Sequence, residues 1–91
     1  MANYLLFGKY SQEGVKGISP DRTVKATALV KSNGGTVKAS YVLLGEVDIV
    51  LVLDLPNTEA AMKVSMGLSK LLGIAFTTSP AITVEEFDKL T

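Results

Sequence analysis

Residues 41–55, YVLLGEVDIVLVLDL, limit the possible folds more than any other stretch of the chain. They read as the end of one strand, a tight turn at Gly45 and Glu46, and a long, almost wholly apolar second strand. Successive side chains of a strand point to opposite faces, so Val47, Ile49, Leu51 and Leu53 point one way and Asp48, Val50, Val52 and Asp54 the other. Both sets call for cover, as in a central strand packed on two sides. The rest of the chain has helix enough for one cover only.

Upstream, residues 4–10 (YLLFGKY) form a short aromatic-rich strand with Tyr4, Leu6, Gly8 and Tyr10 on one face and Leu5, Phe7 and Lys9 on the other. Ser11 caps one or two helical turns over 12–18, weakened by Gly14 and Gly17. Ser19 and Pro20 then open a helix over about 20–32, since proline is at home in a first turn, and Asn33, Gly34 and Gly35 end it. Its apolar residues are scattered, and Val24 and Ala28 are expected to form the buried ridge. Strand two spans 36–44, with Val37, Ala39, Tyr41 and Leu43 opposite Lys38, Ser40, Val42 and Leu44. A hairpin joins it to strand three, which Asp54 and Pro56 close. The best helix follows over 57–72, with Ala60, Ala61, Val64, Leu68, Leu71 and Leu72 on one face, Met62 and Met66 off it, and Gly73 just beyond. Strand four covers 74–78, with Pro80 ending regular pairing, and Thr83 with Glu86 starts a short terminal helix in the manner of a capping box.

The resulting order is βαββαβ with a small helix appended, an α+β arrangement of the ferredoxin-like kind in one domain over residues 1–91. Two helices cover one face of a four-stranded antiparallel sheet. A second copy packed sheet to sheet is the usual cover for the other, giving a dimeric α/β barrel. Size argues the same way, because 91 residues bury little surface alone and 47% of them are hydrophobic.

Nine basic and nine acidic residues cancel without clustering, which speaks against a nucleic-acid or anionic-membrane partner. Without histidine or cysteine the chain lacks the commonest ligands of zinc, haem and copper, and no phosphate- or dinucleotide-binding fingerprint occurs. The expectation is a cofactor-free protein. No basic leader or membrane-length apolar run is present, and the chain is expected to be cytoplasmic.

The sharpest chemical candidate is Asp48, a carboxylate beside a turn in an apolar strand, suited to general-base work if it faces a closed cavity. The plainer alternative is a strand-end carboxylate bonded to backbone. Tyr4, Tyr10 and Tyr41 are candidates to line a ligand pocket in the barrel, with core packing as their plainer role.

Tyr10-Ser11, Glu13-Gly14-Val15 with Ile18, Gly34-Gly35, Gly45 with Asp48, and Ala81 followed by Val84-Glu85-Glu86-Phe87 appear in an order and spacing that resembles the GYD domain family. Of its Gly, Tyr, Asp signature, Gly45 and Asp48 are kept and Val47 replaces the tyrosine. The resemblance implies a ferredoxin-like fold and a dimer, with no established activity. Two functions stand side by side. One is a non-enzymatic dimer or higher oligomer that binds a small apolar molecule or acts in assembly. The other is a cofactor-free enzyme of the dimeric-barrel type, monooxygenase- or isomerase-like, using Asp48 and a tyrosine.

Overall fold

The computed structural model describes residues 2–91. Its elements in chain order are β1 (Ala2–Tyr10), α1 (Gln12–Lys16), α2 (Pro20–Ser32), β2 (Thr36–Val42), β3 (Ile49–Leu55), α3 (Thr58–Leu72), β4 (Ile74–Ala81) and α4 (Val84–Leu90). The strands make one antiparallel sheet in the order β2-β3-β1-β4. This is the ferredoxin-like α+β fold that the element order implies.

Each helix starts where a short polar side chain can satisfy an otherwise unbonded first-turn N–H. Ser11, Ser19, Asn57 and Thr83 accept from the backbone N–H of Gly14, Arg22, Ala60 and Glu86, at 2.9, 3.3, 2.8 and 3.1 Å. α3 stops at Gly73, whose φ of 65° is the left-handed conformation that glycine adopts without penalty. Its apolar stripe buries Ala60, Ala61, Val64, Leu68 and Leu72.

Ala61, Val64, Leu68 and Leu72 pack with Val30 of α2 onto one face of the sheet, against Tyr4, Leu6, Leu51, Leu53, Leu55 and Ile74. Gly8 lies on that face too. A Cβ there would come within 2.5 Å of Ile74 and 2.9 Å of Ile49, so only glycine lets the core close around β1. The molecule measures 45 × 30 × 18 Å. A thickness of 18 Å holds one sheet and one helix layer, and the second face of the sheet is uncovered.

Several sequence expectations need correction. Val24 and Ala28 are not the buried ridge of α2: Val24 is 67% exposed, while Val30 is buried and Ala26 and Leu29 pack against the core. The inward face is set by contact with α3, where Leu29 lies so close to Gly67 that a Cβ there would meet it at 2.8 Å. The β2–β3 link is no tight turn at Gly45 and Glu46, because β2 ends at Val42 and β3 begins at Ile49. Leu43, Leu44, Val47 and Asp48 thus lie outside the strands, and Leu44 is fully exposed. β4 continues through Pro80 to Ala81, paired with β1. As an edge strand, β4 has one side without a neighbour, so a residue lacking its N–H is tolerated.

The alternation in β2 also breaks. Val37 pairs with Leu53 but Ala39 pairs with Val52, so an irregularity between them gives β2 one extra residue. Beyond it every side chain changes face. Ser40 and Val42 pair with Leu51 and Ile49 on the helix side, whereas Ala39 and Tyr41 pair with Val52 and Val50 on the uncovered side.

Candidate functional site

Among the described residues, two hollows between the helix layer and the sheet take in candidate residues. The first, about 320 Å³, lies between α2 and the β2–β3 half of the sheet, with walls from Ala26, Val30, Ile49, Leu51 and Leu68. Volumes near 300 Å³ are at the small end of ligand sites, and a mostly apolar wall with a few polar groups is their usual make-up. The polar groups here come from Tyr10, Ser19, Arg22, Thr23, Thr27, Ser40 and Tyr41. Ser40 reaches this wall only because of the irregularity in β2. The second hollow, about 390 Å³, lies between α3 and β4 and is lined by Tyr4, Met62, Met66, Phe76 and Pro80.

The four candidate residues are thereby dispersed. Tyr4 is buried in the core and borders the second hollow, while Tyr10 is half-buried and borders the first. Tyr41 is 61% exposed at the rim of the first hollow, in register with Val50 on the uncovered face. Asp48 occupies the β2–β3 link. Its carboxylate accepts from the backbone N–H of Tyr10 at 2.9 Å, its own N–H donates to the Gly8 carbonyl at 2.9 Å, and its carbonyl accepts from Leu43 N–H at 2.8 Å. Asp48 thus extends the β3–β1 ladder past the end of β3, with a side-chain oxygen standing in for a backbone acceptor.

The role of that oxygen can be separated from charge or proton transfer. Asp48→Ala leaves the Tyr10 N–H without its acceptor and is expected to cost about 1–3 kcal/mol. Asp48→Asn keeps an oxygen and is expected to stay within about 1 kcal/mol of the parent, since a neutral amide acceptor still serves. Urea unfolding of both variants checks this. Equal damage from the two would mean that the negative charge, rather than an acceptor, is needed at position 48.

Arg22 was not singled out from the sequence. Its Nη1 donates to the Gly14 carbonyl at 2.8 Å and its Nη2 to the Leu72 carbonyl, so one guanidinium joins α1 to the last turn of α3. Its Nε is buried without an acceptor. The same corner is tied by Ser11, whose N–H and hydroxyl both donate to the Gly73 carbonyl, each at 2.9 Å. A sequence signal did exist. A basic residue in a helix's first turn opposes the helix dipole, and so suggests a side chain committed elsewhere. Among the described residues, no three of the acidic side chains gather closely enough to suggest a metal site, and no helix is long and apolar enough to cross a membrane.

The GYD domain family matches residues 4–91, nearly the whole chain. The chain belongs to the GYD domain family. Among curated proteins no sequence matches this GYD domain. Among solved structures it is similar to the leucine response regulatory protein LrpA of Mycobacterium tuberculosis, with a TM-score of 0.59 at 11% identity, over 90% of this chain and 51% of that one. A second solved structure, of a single-residue mutant protein, has a TM-score of 0.58 at 12% identity, over 90% of this chain and 50% of that one. The GYD domain therefore spans about half the length of these structures, and at such identities the likeness is one of fold.

Proposed function

We propose that this GYD domain acts without catalysis, as a homodimer packed sheet to sheet into an α/β barrel in which each copy holds a small apolar molecule. The observation that supports the dimer is the composition of the uncovered face. Register aligns two rows across it, Ala39–Val52–Leu5–Ser79 and Tyr41–Val50–Phe7–Thr77. The flanking positions are Thr36, Asp54, Asn3 and Ala81 at one end and Lys9 and Ala75 at the other. An apolar centre with a polar rim is the anatomy of a protein interface. Left in water, the central side chains would form a contiguous apolar patch of a kind that monomers rarely expose.

The hollow beneath α2 supports the binding half of the proposal. It has the volume for a molecule of modest size, and its wall is mostly apolar.

Sedimentation equilibrium at micromolar concentration is expected to give about twice the chain mass of 9.6 kDa. A well-folded monomer at that concentration would overturn the dimer. For the ligand, saturating cyclohexanol is expected to raise the melting temperature of the parent, because a ligand bound only to the native state stabilises it. Ala26→Leu, which fills the hollow, is expected to remove that response. A melting temperature unchanged by the alcohol would count against the apolar site.

A further inference from the structure

We infer that α4 is an exchanged arm: in the dimer proposed above, its Val84, Phe87 and Leu90 dock into the groove between α3 and β4 of the second copy. None of the residues of α4 is buried, and these three are 76%, 55% and 75% exposed. Spaced three apart, they form one stripe along a seven-residue helix. A helix that short is marginal in water, so its stability must come from a surface it packs on.

The groove is the complementary surface. It is bordered by Tyr4, Phe76 and Pro80, and by Met62 and Met66, which are 62% and 60% exposed. Methionine side chains adapt to whatever fills the space beside them. Charge fits as well. Glu85, Glu86 and Asp88 on α4 outnumber Lys89, while among the described residues no acidic side chain lines the groove, and Lys63 follows Met62 on α3.

Two features favour the groove of a neighbour over the chain's own. Only two residues separate α4 from β4, next to its own groove, yet α4 leaves Met62 and Met66 open. The direction of departure is held by extended Thr83, whose hydroxyl accepts from Glu86 N–H at 3.1 Å and meets the Glu86 carboxylate at 3.2 Å. Area favours a second copy too. Four strands about 4.8 Å apart and about seven residues long give roughly 450 Å² of flat sheet per copy, or roughly 900 Å² for the pair. Stable interfaces bury about 1,200–2,000 Å². Phe87 is 55% exposed, so docking it adds about half of the 150–250 Å² of a buried aromatic per copy, and with Val84 and Leu90 the two arms carry the total into that range.

The absence of cysteine makes the test clean. Phe87→Cys and Met66→Cys chains are prepared separately, mixed, allowed to exchange and oxidised mildly. The expected product is a disulfide-linked pair of twice the chain mass that forms in the mixture and in neither variant alone. In a chain carrying both substitutions, closure of the disulfide within one chain would overturn the exchange. So would a mixture that sediments as dimer and yields no linked pair. A monomer in sedimentation would instead remove the dimer itself and the arm with it. Phe87→Asp adds an independent readout: dimer dissociation is expected to strengthen at least tenfold with the circular dichroism of the sheet unchanged, and an unaltered dissociation constant would also overturn the arm.

Discussion

Leu51→Asp is expected to abolish folding, whereas Val52→Asp, one residue along the same strand, is expected to give a folded chain that sediments as a monomer. Leu51 is 8% exposed in the cluster formed by β1, β3, β4, α2 and α3. Arg22 borders the same hollow as Leu51, but its guanidinium is committed to the Gly14 and Leu72 carbonyls, so a carboxylate at position 51 gains no free cation. Burying an unpaired charge costs several kcal/mol, a large part of the 5–15 kcal/mol that holds a typical domain together. Val52 lies between Ala39 and Leu5 on the uncovered face, where an aspartate stays hydrated as long as the chain is alone. Packed against a second sheet the same carboxylate would lose its water, and association would weaken by at least the same several kcal/mol. Circular dichroism separates the two outcomes and sedimentation reads the second. A Val52→Asp chain that still dimerises like the parent would show that the sheet face is not the interface. A folded Leu51→Asp chain would show that the core assignment is wrong.

The contrast between those neighbours was visible in the sequence because period-two alternation in β3 is uninterrupted from Ile49 to Leu55. Helix starts were equally visible, since Ser11, Ser19, Asn57 and Thr83 each cap through a short-range bond that involves no tertiary structure. What depended on packing was hidden. An extra residue in β2 changes neither composition nor length, so nothing local marks where Tyr41 changes face. Leu43 and Leu44 look like strand because they are apolar, yet β3 has already ended opposite them, and Leu43 keeps a backbone bond to the Asp48 carbonyl. In α2 the apolar residues point several ways, and close approach of Leu29 to Gly67 decides which of them face inward. Within the candidate site, Asp48 stood out as an acid in an apolar run. Its bond to Tyr10 N–H could not be seen, because it joins residues 38 positions apart through a ladder whose end was placed too early.

Arg22→Met is expected to lower the melting temperature by an amount on the order of 15 °C. Methionine retains most of the apolar stem of arginine, so the change chiefly removes the guanidinium. The Leu72 carbonyl at the end of α3 then loses its donor, and the Gly14 carbonyl of α1 keeps only the Gly17 N–H. The last carbonyls of a helix have no partner within it, and a cation there also balances the negative end of the helix dipole. Hydrogen bonds to a charged group contribute about 1.5–3 kcal/mol each. Sharing one guanidinium, the two are not independent, and about 3 kcal/mol in total is the expected loss. At about 4–8 °C per kcal/mol for a domain of this size, that is the predicted fall. Lysine offers a single compact charge that cannot span both carbonyls, so Arg22→Lys should lie between the methionine variant and the parent. Hydrogen exchange adds a spatial check: α1, tied to α3 through this side chain and Ser11, is expected to lose protection before the sheet does. A methionine variant melting within about 2 °C of the parent would mean that Ser11 and Gly73 hold the corner by themselves.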